Sequence, residues 1–190
     1  MKKFLICLFF LGGTLCAYPH HSTELNSPLR TLYKLEETRQ LLNQVENAGG
    51  VTIKAAKLGV SASNAIWLPD ERTICINLSK KRSQASLICS LVFELQNALN
   101  QKQFDHLDLL AMQGRMTKTK YIEAVEHLEY TNALKTVEIL KKGVDQRVFP
   151  SDTYWPIAPT FQEHYQIQIQ SGHSQSIGGI YESLTQVARR

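Results

Sequence analysis

Cysteine is scarce in this chain: Cys7 and Cys16 fall within the first 17 residues, so only Cys75 and Cys89 remain for everything after them. That excludes a disulfide-dense miniprotein. Proline and glycine follow no fixed period, which excludes a collagen-like chain, and 43% hydrophobic against 20% charged residues excludes wholesale disorder. Long apolar runs are missing as well. The run Phe4 to Leu11 falls well short of the roughly 20 residues a spanning helix needs. Charge of one sign is also in short supply: the formal net charge of +4 includes Lys2 and Lys3 and drops to +2 without them. The basic groups Lys80-Lys81-Arg82 and Lys141-Lys142 have no interleaved aromatics, so they read as solvated helix ends and give no nucleic-acid footprint. A Gly-x-Ser-x-Gly elbow, a phosphate-binding glycine loop and internal repeats are all absent.

What is present begins with an export pattern. Met1-Lys2-Lys3, the apolar run, Gly12-Gly13 and Thr14-Leu-Cys-Ala17 form the three regions of a secretory signal peptide over residues 1–17. The expected location is therefore periplasmic or extracellular, with no stable membrane span after cleavage. A lipoprotein would need a small residue before Cys16, where Leu15 stands. In an oxidising compartment Cys75 and Cys89 either form a disulfide or remain buried thiols packed as small hydrophobes.

Residues 18–26 are polar and aperiodic and read as a flexible leader, and 27–190 as a single globular domain. Ser27-Pro28 caps a helix expected over 28–47, carrying Leu29, Leu32, Leu35, Leu42 and Val45 and stopped by Gly49-Gly50. A strand is expected at 51–55, and a hairpin at 65–77 turning through Pro69-Asp70-Glu71-Arg72. From Ser83 to Gln101 the apolar residues Leu87, Ile88, Leu91, Val92, Leu95, Ala98 and Leu99 form one stripe at 3.6-residue spacing. Further helices are expected at 103–112 and 117–141, the second ended by Gly143. From about 144 the Pro, Gln, Ser and Gly content predicts a less regular C-terminal segment, with a short helix near 161–168 and another at about 180–188. The fold class is α+β: a small, mainly antiparallel sheet packed by three or four helices, with helix 83–101 at its centre.

The hairpin followed by Leu91-Val-Phe-Glu-Leu-Gln-Asn-Ala98 resembles the core of the zincin-like metallopeptidases. There a strand precedes a helix bearing His-Glu-x-x-His, whose histidines hold zinc and whose glutamate is the general base. Phe93, Glu94 and Asn97 occupy those positions here, so both helix ligands are gone: phenylalanine has no lone pair, and an amide is a poor substitute for imidazole. The resemblance implies a third ligand from a downstream helix. Glu129, on the apolar stripe of helix 117–141, is the candidate, with Glu126 beside it. A vestigial site of Phe93, Glu94, Asn97 and Glu129 is thus expected, with Asn97 donating its amide to Glu129 where a cation would sit. The alternative leaves both glutamate heads in solvent.

No catalytic residue, metal or cofactor follows from this reading. The histidines are scattered, with His20 and His21 in the leader, His106 and His127 on helices, and His164 and His173 in the tail. The expected role is non-catalytic binding of a peptide or protein beside the hairpin, by strand addition. The competing classes are a hydrolase using Glu94 and Glu129, with or without a divalent metal, and an envelope-associated structural protein.

Overall fold

The computed structural model describes residues 19–57, 59 and 63–188, and the expected signal segment at 1–17 lies outside them. Within the expected flexible leader, residues 19–26 take up defined structure. His20–His21 forms a two-residue strand, β1, parallel to β2 (Thr52–Ala56). Ser22 continues the attachment, with its N–H on the Ile53 carbonyl at 3.0 Å and its hydroxyl accepting from Ala55 N–H at 3.0 Å. Leu25 is then fully buried within a 3-10 turn, Thr23–Leu25. Periodicity cannot reveal so short a strand, because its order is supplied by a partner 32 residues away.

The first expected helix is two: α1 (Asn26–Leu32) and α2 (Glu36–Asn47). Between them Leu35 is extended, and the Thr38 hydroxyl caps the break by donating to the carbonyls of Leu32 and Leu35. The leucines at 29, 32 and 35 stay fully buried in spite of the break. Gly49 and Gly50 end α2 at φ 124° and 78°, values that favour glycine.

β3 (Ala65–Leu68) and β4 (Thr73–Asn77) form the expected hairpin, with Ala65 opposite Ile76 and Leu68 opposite Thr73. The sheet order is β1-β2-β4-β3, and both β1–β2 and β2–β4 are parallel. The sheet is therefore mostly parallel, which corrects the mainly antiparallel expectation. The link after β2 carries the chain past the central position to the edge, and β4 returns between β2 and β3. β4, with Ile74 and Ile76 fully buried, shows the apolar run of an interior strand.

α3 (Gln84–Leu99), capped by the Ser83 hydroxyl on Ser86 N–H at 3.1 Å, runs through the middle of the molecule. Its Ile88, Leu91, Val92 and Leu95 join Ile53, Ile74, Ile76 and the α1–α2 leucines in one core. Asn100 turns the chain directly into α4 (Gln101–Met112). α5 spans Lys118–Asp145 and passes through Gly143 without stopping. Gly143 is a packing requirement: a Cβ there would lie 2.1 Å from the ring of buried Phe149.

The C-terminal segment is far more regular than its composition suggests. α6 (Phe161–Ser171) opens on a capping box between Thr160 and Glu163, and Gly172, at φ 83°, joins it to α7 (His173–Val187). α7 lies against α4 and α5, with Ile177, Tyr121, Val125 and Ala111 forming a second, smaller core. The described residues thus hold seven α-helices where three or four were expected. The tail's apolar residues are too few to show a stripe; its helices are fixed by caps and by docking onto α5. Cys75 and Cys89 are both free thiols, and Cys89 directs its Sγ to the Tyr154 carbonyl at 3.3 Å.

Candidate functional site

A groove opens over α3 and α5, walled by β3 and the 152–158 segment on one side and by α6 and α7 on the other. It has two lobes of about 750 and 710 Å³ that meet at Ser90, Phe93, Glu129, Trp155 and His173. Trp155 stacks on Phe93 with ring centroids 4.7 Å apart, so Phe93 spends its apolar surface on a protein aromatic.

Phe93, Glu94, Asn97 and Glu129 all line this groove. Their hydrogen bonds differ from the expected ones. The Asn97 amide donates to Glu94, one turn back, at 3.1 Å. It does not donate to Glu129, because the i, i+3 neighbour lies within reach on the same helix face. The Asn97 carbonyl oxygen accepts from Asn132 Nδ2 at 3.0 Å, and Asn132 Oδ1 accepts from Asn100 Nδ2 at 2.6 Å. This buried asparagine chain joins α3 to α5 and replaces the single amide–carboxylate link read from the sequence.

Glu94 is buried at 6% exposure and also accepts a hydrogen bond from the Trp67 backbone N–H on β3. Desolvation dominates and lifts its carboxyl to about 7; Asn97 and the Trp67 N–H oppose the rise, and the charge of Glu129 adds to it. Glu129, half-buried on α5, is likewise raised to about 7, chiefly by desolvation; His173 counteracts this and Glu126 reinforces it.

Behind Glu129, Glu126 is wholly buried. Its Oε1 accepts from the Ser174 hydroxyl at 2.6 Å and lies 3.2 Å from His173 Nδ1. Its Oε2 has no hydrogen-bond partner and faces His164 Nε2, also unpartnered, at 3.9 Å. His173 reaches the other way too, with Nε2 3.6 Å from Glu129 Oε2. The hydrogen bond to Glu126 raises the His173 imidazole above its ordinary value, whereas burial lowers that of His164. Potential ligand atoms of Glu126, Glu129 and His173 lie within 4.8 Å of one another.

The sequence reading reached the α3 and α5 carboxylates but missed His164, His173 and Ser174. The signal available was weak: two histidines nine residues apart in a tail that showed no helical stripe. Comparison with family models, curated proteins and solved structures finds no match to this chain.

Proposed function

We propose that this is an exported protein whose groove holds an extended peptide, on a scaffold related to the zincin-like metallopeptidases but lacking their helix-borne zinc pair. The observation that carries this reading is β3, which is an edge of the sheet among the described residues and borders the groove. Asn77 N–H bonds the Asn64 carbonyl at 2.9 Å, which makes Asn64 and Asn77 a hydrogen-bonded pair. By antiparallel alternation the backbone groups of Ala65 and Trp67 then turn away from β4. Trp67 gives its N–H to Glu94, while Ala65 N–H and the Ala65 and Trp67 carbonyls border the groove as a template for an added strand. Ile66, exposed on β3, and the outer face of Trp155 supply apolar surface for side chains of the ligand. Export is supported by the pattern of residues 1–17, and no helix among the described residues is long and apolar enough to cross a membrane.

The test is a displayed library of random decapeptides selected against the purified protein and counter-selected against Ala65→Pro. Proline removes an outward N–H without breaking the β3–β4 ladder. Ligands that bind the wild type and lose at least about tenfold affinity for the variant support strand addition, since one lost backbone bond is worth about 1 kcal/mol and its replacement by a ring adds a clash. Equal binding to both proteins would refute it.

The juxtaposition of Glu94 and Glu129, both near 7, favours a second reading, a peptide hydrolase with these carboxylates as acid and base. Cleavage of a quenched fluorogenic peptide pool that disappears in Glu94→Gln would establish it over simple binding.

A further inference from the structure

We propose that Glu126, Glu129 and His173, with His164 facing the second oxygen of Glu126, form a binding site for a divalent transition ion of the zinc class. The site goes beyond the peptide groove and does not depend on it. It also differs from the arrangement implied by the sequence resemblance, because its ligands come from α5, α6 and α7 and none comes from α3.

Two observations carry it independently. One is the convergence of three ligand atoms within 4.8 Å, drawn from two helices that pack side by side. The other is a pair of orphaned atoms: Glu126 Oε2, on a side chain with no exposure, and His164 Nε2, each buried without a hydrogen-bond partner and 3.9 Å apart. Buried polar atoms are almost always satisfied, and an unpartnered carboxylate oxygen facing an unpartnered imidazole nitrogen calls for a shared proton or a cation. Bonds of about 2.1 Å to a tetrahedral zinc place neighbouring ligand atoms about 3.4 Å apart, so rotation about the side-chain torsions closes the site.

The charge balance points the same way. Glu94 and Glu129 line the groove with Glu126 buried behind them, and the ion-pair partners of Glu126 and Glu129 among the described residues are both histidines. The two imidazoles favour zinc or its borderline neighbours over magnesium or calcium, which prefer an all-oxygen shell. Glu129 and His173 also line both lobes of the groove, so the ion can enter and leaves room for a coordinating group from a ligand. Bound there, it pins α6 and α7 to α5.

The experiment is zinc titration of chelator-treated protein with a competing chromogenic chelator, repeated on His173→Gln, Glu129→Gln and, as a control, the exposed His106→Gln. The expected result is one saturable zinc per chain, a Tm that rises with zinc concentration, and affinity at least about tenfold weaker in the two site variants but unchanged in the control. Both substituted site residues are partly exposed, so folding should survive. If either variant misfolds, the wild type alone decides, because zinc must shift the imidazole resonances of His173 in a nitrogen-15 correlation spectrum and leave those of His106 in place. Failure to find one-to-one binding, retention of affinity in both site variants, or an unshifted His173 overturns the site. None of these outcomes bears on peptide capture, which is read by the Ala65→Pro comparison.

Discussion

Glu94→Gln offers the most direct reading of how the groove floor is held. The carboxyl sits at 6% exposure beside Glu129, and its folded-state value of about 7 compares with an ordinary 4.5. Between those two values the native state binds a proton that the unfolded chain has released, so stability must fall as pH rises. The stabilising contribution is complete below about pH 4.5 and is lost as pH climbs through 7. At about 1.4 kcal/mol per pH unit, the whole interval is worth about 3 kcal/mol. Glutamine keeps the shape, and its one side-chain oxygen can still accept from Asn97 Nδ2, but it does not titrate. Urea denaturation of both proteins in the presence of a chelator, at pH 4.5, 6, 7 and 8, isolates the effect. Relative to the wild type, the variant should gain roughly 3 kcal/mol between pH 4.5 and pH 8. A difference that stays flat across that range would mean that Glu94 is solvated or compensated by a cation, and would refute the assignment of desolvation as the dominant cause.

Two other substitutions probe the packing that positions the site. Asn97→Ala removes a donor to Glu94 and an acceptor for Asn132 at once, and should cost about 1–3 kcal/mol in urea midpoint analysis because it orphans buried polar groups; less than about 0.5 kcal/mol, the range of neutral surface changes, would show the asparagine chain to be idle. Gly143→Ala sets helix propensity against sterics: propensity alone favours alanine by about 1 kcal/mol, but a Cβ 2.1 Å from the Phe149 ring should turn the sign and cost about 1–3 kcal/mol. A rise in Tm for this variant would count against the close approach of that ring.

The parts of the molecule legible in the sequence are those with local cause. The stripe Leu87 to Leu99 marked α3 and its central position, and Pro69-Asp70-Glu71-Arg72 marked the hairpin, because each signal is contained in one element. The parallel pairing of β2 with β4 left no such mark: Thr52 opposite Thr73 is a long-range choice that any alternating strand could satisfy. The break at Tyr33–Leu35 was hidden because the leucines on both sides stay buried while Thr38, three residues into α2's sequence neighbourhood, closes the gap with its hydroxyl. At the site, Glu129 was visible as a carboxylate on an apolar stripe, and Glu94 as the residue at the glutamate position of the zinc-helix pattern. His164 and His173 were not, since α6 and α7 owe their order to the Thr160–Glu163 cap, the left-handed Gly172 and contact with α5. The zinc-helix pattern lies on α3, whereas the paired imidazoles stand across from α5.

α5 carries one further consequence. At 1.5 Å per residue its 28 residues extend about 40 Å, and its ends belong to different hydrophobic clusters, Leu140 to the large one and Tyr121 and Val125 to the small one. Between them the helix face carries Glu126, Glu129, Asn132 and Thr136, with Leu128, Tyr130 and Ala133 as its buried apolar residues, none of them in either cluster. Subglobal opening follows such gaps between clusters, because less apolar surface must be exposed to part them there. The α4–α7 lobe can therefore swing or unzip as its own foldon while the sheet and α3 stay intact, which puts the imidazole side of the cleft on the half of the molecule that yields first.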